Sequence, residues 1–254
     1  MGMDLYAGTL TRYYARNWKT STQQWAEENG YTYNRIGPND PMEQEEKPDP
    51  EEVRSSMEEW RDSILAALKN SGVESPSWPE NNEAPYYTDK PDWDAWLALI
   101  LTAACAVTGE TPPPTVEKGW GDGFWDLPVI QKARERKWSL FLGAELWLPF
   151  PDRFCFDCPN PLGNPVTIGT IGGILYELEE LNGLLWQAGE EEILSWTTTE
   201  GYPPDGEIGP DGKMHRIGEH TVYDTLSLAK FAYSILYRAA RFSQENQVPI
   251  LLDY

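Results

Sequence analysis

The chain has 254 residues, with 41 acids against 20 Lys and Arg, a formal net charge of −21, and 40% hydrophobic content that includes twelve Trp and thirteen Tyr. That much apolar and aromatic material excludes a disordered chain, and a surface this negative repels nucleic-acid phosphates and anionic lipid. It attracts cations, metal ions and basic proteins instead.

Residues 1–6 show neither the basic nor the apolar region of a secretory signal, and Tyr6 stands where a myristoylation motif needs Ser or Thr. The most apolar run, residues 93–107, is interrupted by Asp94 and is shorter than the ~20 residues that span a bilayer. Three cysteines in a chain of this length do not make a disulfide framework. The expectation is a soluble, cytoplasmic protein in a reducing setting, with no membrane partner.

In chain order, residues 3–10 read as a short strand. A basic and aromatic island follows, with Arg12, Tyr13, Tyr14, Arg16, Trp18 and Lys19. Thr20 or Ser21 caps a helix that runs to Glu28 and stops at Gly30. Residues 39–52 form an acidic connector. The best-signalled helix comes next, with Asp49 as N-cap, Pro50 at N1 and Glu51 and Glu52 at the positive end of the dipole. Val53, Met57, Trp60, Ile64, Ala67 and Leu68 recur at steps of three and four and define its apolar face, and Gly72 ends it.

Residues 72–90 read as a Pro-rich aromatic loop. Asp92 is placed to cap a helix over 93–108 that is apolar all round, which predicts a central helix packed on several sides. Pro112, Pro113 and Pro114 break the chain, and residues 119–126 form a Gly-rich aromatic loop. A short basic helix is expected over 128–137, a strand over 138–148, and a loop around Cys155 and Cys158. Ile171, Ile174, Leu175, Leu178, Leu181 and Leu185 mark an amphipathic helix that stops near Gly189. The Asp205-Gly206 and Asp211-Gly212 turns predict a hairpin or a looped excursion. A last helix spans 221–243, with Val222, Leu226, Ala229, Ala232, Ile235, Leu236, Ala239 and Phe242 facing the core, and residues 248–252 close as a strand. The whole reads as one compact α+β domain over residues 1–254, mainly helical, with a small sheet and long Pro- and Gly-rich loops. The one alternative is a weak boundary near residues 110–118.

The most specific local pattern is Cys155-x-x-Cys158, with the two histidines of the chain, His215 and His220, downstream. Two thiolates and two imidazoles complete a tetrahedral zinc shell, although the gap between the pairs is longer than in a zinc finger. Zinc is therefore the one cofactor the sequence raises, against the plainer reading of two loop cysteines and two surface histidines. A thioredoxin-like role lacks a helix starting at Cys155. The run Gly169-Thr170-Ile171-Gly172-Gly173 lies between a strand and a helix, but no Lys follows it, which favours a tight structural turn over a phosphate site. Trp120 and Trp125 share a loop with Asp122 and Asp126, the pairing of rings and carboxylates that a sugar site uses. There is no legible Ser/His/Asp set, no Gly-x-Ser-x-Gly and no EF-hand loop.

Residues 154–212 hold no Lys or Arg but eleven acids, among them Glu177, Glu190, Glu191 and Glu192. The two basic islands, 12–19 and 132–137, are expected to pair with the protein's own acids. This distribution favours a non-enzymatic acidic binding protein, of inhibitor or immunity type, whose partner is a basic protein. Glu190, Glu191 and Glu192 supply the charge and Trp120 and Trp125 the anchors. The alternatives are a hydrolase with a carboxylate-based or metal-assisted site, and a zinc-stabilised structural module on Cys155, Cys158, His215 and His220.

Overall fold

Strands from distant parts of the chain meet in one mixed sheet, and helices cover both of its faces. A computed structural model describes residues 2–32, 47–74, 76–204, 206–208, 214–216 and 218–254. The elements run β1 (Asp4–Ala7), α1 (Leu10–Tyr14), α2 (Ser21–Glu28), α3 (Pro50–Asn70), β2 (Tyr87–Asp89), α4 (Asp92–Thr108), β3 (Thr115–Glu117), α5 (Pro128–Ala133), β4 (Leu146–Leu148), β5 (Phe156–Pro159), β6 (Pro165–Thr170), α6 (Ile171–Leu185), α7 (Glu190–Thr199), β7 (Gly206–Ile208), β8 (Met214–Arg216), β9 (Val222–Asp224), α8 (Thr225–Asn246) and β10 (Ile250–Asp253). The main sheet has the order β2-β1-β10-β4-β6-β5, antiparallel throughout except for the parallel pair β4 and β6. Two-stranded pairs β3-β9 and β7-β8 lie outside it. The fold is a single compact α+β unit, as the sequence predicts.

The sheet separates two apolar layers because successive side chains of a strand point to opposite faces. In β4, Trp147 joins the layer of α4, α6 and α8, while Leu146 and Leu148 join the layer of α1 and α3 with Met57, Ile64, Leu68 and Trp78. Helix α4 lies at the centre of the larger layer, and Ala95 to Cys105 are buried without a break. Helix α8 is its main neighbour, with α5 and α6 on other sides. Among the described residues, no helix is long and apolar enough to cross a membrane.

The caps of α2 and α3 form as read. Thr20 and Gln23 make a reciprocal capping box, and the Asp49 carboxylate accepts from Glu51 N with Pro50 at the first turn. Asp92 does not cap α4. Pro91 holds that position without a side-chain bond, while Asp92 has a φ of +58° and its carboxylate accepts from Met3 N at 3.3 Å.

Other expectations need correction. The first strand ends at Ala7, because the Thr9 hydroxyl accepts from Arg12 N and starts α1. Residues 72–90 contain β2, a three-residue strand set by pairing with β1. The strand expected over 138–148 shrinks to β4, because residues 138–144 turn back on themselves through bonds such as Leu142 N to Trp138 O. Cys158 lies in β5, paired with Val166, instead of in a loop. Glu190 to Glu192 open a helix, α7, that the acid run concealed. Val222 and Leu226 are 50% and 43% exposed, since Val222 belongs to β9 and Leu226 to the first turn of α8. In α3, Ala67 is exposed and Trp60 half-buried, its indole donating to Pro159 O. The Asp205 and Asp211 turn residues lie outside the described residues, although β7 and β8 pair as a hairpin. Most of the connector expected over 39–52 also lies outside them.

Trp78 is 2% exposed, packs edge-on against Trp60 and Phe150, and donates to Glu80 Oε1. Trp78→Ala should therefore cost about 3–5 kcal/mol in a urea melt, whereas Ala67→Ser on the open side of α3 should cost less than about 0.5 kcal/mol. Similar costs for the two would place the second apolar layer elsewhere.

Candidate functional site

The residues with acidic side chains fall into two kinds of place. Glu177 of α6 is only 4% exposed. Its carboxylate accepts from Ser139 N at 2.6 Å, Ser139 Oγ at 2.9 Å and Leu140 N at 3.2 Å, and Ser139 Oγ in turn accepts from Trp147 Nε1. These bonds tie the turn after α5 to α6. Burial pushes the Glu177 carboxyl up to about 7, against the pull of those three donors. It is a structural carboxylate, although its sequence context groups it with the surface acids.

Glu190, Glu191 and Glu192 are all exposed, in the first turn of α7. The position of that turn is fixed. The Asn182 side chain both donates to Ala188 O and accepts from Ala188 N, which folds the connector back from α6. Trp186 then packs against Trp196 and Tyr233, with ring centroids 5.1 Å away in each case. Just before the acids, Leu184 is 50% and Leu185 39% exposed. Sequence periodicity placed Leu185 on the covered face of α6, but the helix ends there and the covered face ends with it. The result is an acidic turn with exposed leucines beside it.

The residues expected to hold zinc are not gathered. Cys155 lies in a cleft of about 480 Å³ with Arg136, Arg153, Tyr176, Glu177 and Glu180. His220 lies in another cleft, with its Nε2 3.3 Å from Pro204 O, and His215 is exposed on β8. Among the described residues, no three His, Cys, Asp or Glu side chains form a group that could hold a metal ion. Burial, and then Glu177 and Asp157, push the Cys155 thiol up to about 12. Burial raises Cys158 as well.

Trp120 and Trp125 are half-buried and pack on Phe124 at 5.5 and 5.2 Å, joined to the larger apolar layer. Gly143 also abuts the Trp125 ring. They brace their own loop, while Asp122 and Asp126 are exposed beside it. Gly172 packs so closely that a Cβ would overlap the Pro151 carbonyl, and Thr170 caps α6 through Gly173 N, which explains the glycine run as a tight strand-to-helix turn. In the basic islands, Lys19 pairs with Glu27, Lys132 with Glu110 and Arg136 with Glu180. Arg153 lies 3.8 Å over the Tyr176 ring.

Comparison of the chain with known families, curated proteins and solved structures finds no match.

The Glu177 carboxyl holds its proton more tightly in the folded chain than in the unfolded one, where it titrates near 4.5. Its contribution is therefore fully present below about pH 4.5 and is lost as the pH rises towards about 7. Urea melts across that range should show the wild type losing stability relative to Glu177→Gln. A constant difference between the two would mean that the carboxyl is already ionised at acid pH.

Proposed function

We propose that this protein acts by binding, without catalysis, and that its partner is a basic protein whose cationic surface it covers in the manner of an inhibitor or immunity-type protein. The observation that carries this reading is the exposed turn Glu190-Glu191-Glu192 beside exposed Leu184 and Leu185. Leucines at the centre of a contact supply apolar burial, and a surrounding acidic rim steers a cationic partner and rejects others. Residues 154–212 contribute no Lys or Arg of their own, and the cations from elsewhere pair with Glu180 and Glu200 and leave Glu190, Glu191 and Glu192 exposed. The firm seating of Trp186 supports the reading, because a surface held in place before binding loses little freedom on contact.

The acids also have a local effect, since negative charge in a first helical turn favours α7 itself. The test must separate the two roles. The partner captured from the source cells by the wild-type protein should associate at least about tenfold more slowly, at low salt, with the Glu190→Lys, Glu191→Lys, Glu192→Lys variant. The corresponding triple Gln variant should show an intermediate rate and an unchanged helix content by circular dichroism. An association rate indifferent to salt and to all three changes would contradict the proposal.

A further inference from the structure

The cleft around Cys155, of about 480 Å³, is separate from the acidic turn of α7 and carries the opposite charge at its rim. That volume suits a small molecule. Arg136 and Lys137 line it from the turn after α5, and Arg153 from the segment before β5. Trp138, Leu142 and Phe154 are its apolar lining. These rings are held in place. Trp138 stacks on Phe141 with centroids 5.2 Å apart, and Phe154 on Phe150 at 6.1 Å.

The plainest account of three cations beside α6 is that they pair with its acids, and it holds for one of them. Arg136 donates to Glu180 Oε1 at 3.2 Å. The Glu177 carboxylate, at the cleft wall, is occupied by its bonds from Ser139 and Leu140. Among the described residues, neither Lys137 nor Arg153 has an ion pair. Arg153 sits 3.8 Å over the Tyr176 ring, a contact that steadies the guanidinium and leaves its N–H donors free. The Tyr176 hydroxyl is pushed up chiefly by Glu180 and pulled down by Arg153 and Arg136, so both arginines act on one point of the rim. Lys137 has a φ of +55°, a left-handed conformation that glycine adopts without cost, and its N–H closes the turn on Arg134 O. The backbone there suits glycine, yet the chain carries a lysine. Against the three cations stand Glu180 and, outside the lining, Asp157, which raises the Cys155 thiol after burial and Glu177. Burial pushes the Glu177 carboxyl up to about 7, so at neutral pH it carries only part of a charge. The balance leaves room for one added negative charge and opposes two.

We propose that this cleft binds a small monocarboxylate with an apolar body of about the size of a benzene ring. Arg153 and Lys137 hold the carboxylate, one as a fork of donors and the other as a point charge. Arg136 adds to the field while it stays paired with Glu180, and Trp138, Leu142 and Phe154 cover the apolar body. A phosphate monoester brings a second negative charge, which Glu177, Glu180 and the net charge of −21 oppose. The site shares no residue with the acidic turn of α7 and goes beyond the proposed function, since it takes a small anion and not a basic protein.

The test uses the full chain labelled with 5-fluorotryptophan, in which the Trp138 resonance is identified by its loss in Trp138→Phe. Titration with phenylacetate at constant ionic strength should shift that resonance saturably. The uncharged phenylacetamide should bind at least about tenfold more weakly, and phenyl phosphate no more tightly than phenylacetate. Lys137→Gly and Arg153→Gln should each weaken phenylacetate about tenfold. Glycine fits the φ of +55°, so Lys137→Gly should leave the melting temperature unchanged or higher, which separates lost binding from lost structure. The triple Gln variant at Glu190, Glu191 and Glu192 should leave the Trp138 shift intact. A Trp138 resonance that ignores phenylacetate, responds equally to the amide, responds more tightly to phenyl phosphate, or is indifferent to both variants would overturn the inference. The acidic turn of α7 is tested by its own association kinetics, so either can fail without the other.

Discussion

Helix α4 has eleven successive buried residues, and a helix with that pattern has to be covered on every side. Its neighbours α5, α6 and α8 and one face of the sheet meet that demand. Their apolar stripes are turned inward by it, so much of the protein's polar character is left on the outer faces and at helix ends. The first turn of α4 emerges at Asp92 and Asp94, and α7, held on α8, emerges at Glu190.

Several arginines bond backbone carbonyls as well as, or instead of, carboxylates. Arg12 donates to Asn17 O and Ala84 O, Arg61 to Trp78 O and Arg238 to Leu194 O. The Arg12 and Arg61 bonds fasten loop carbonyls to helices, and the Arg238 bond ties α8 to α7. The exposed ion pairs, such as Lys19 with Glu27 and Lys132 with Glu110, contribute ~1 kcal/mol or less each. The chain thus spends a good part of its limited positive charge on architecture. Residues 154–204 keep Glu190, Glu191 and Glu192 exposed among them, with no Lys or Arg in the same stretch.

Local signals made α2, α3, α4 and the core face of α8 legible, because caps and apolar spacing act within a few residues. Asp49 and Pro50 announce α3, and Ala229, Ala232, Ile235, Leu236 and Ala239 are all buried. Strands β2 and β4 were obscure for the opposite reason. Each has three residues, and each exists because of a partner from far along the chain. Helix α7 was hidden by its own first turn, since three glutamates after Gly189 resemble a charged loop and only Ile193 and Trp196 are fully covered. The acidic turn was visible as composition, but its exposed leucines were not, because periodicity does not show where a covered face ends. Glu177 could not be told from the surface acids, since its donors lie at Ser139 and Leu140, 38 and 37 residues away. The cleft beside Tyr202 draws on residues 92–94, 118–119, 202–203, 220 and 223, which only the fold brings together.

The central claim is that a basic protein is held on the exposed acidic first turn of α7. Hydrogen exchange on the complex with the captured partner tests it most directly. The account predicts slowed exchange over residues 183–193, with the buried middle of α4 unchanged. Protection confined to residues 12–19 or 132–137, with residues 183–193 exchanging as in the free protein, would contradict it.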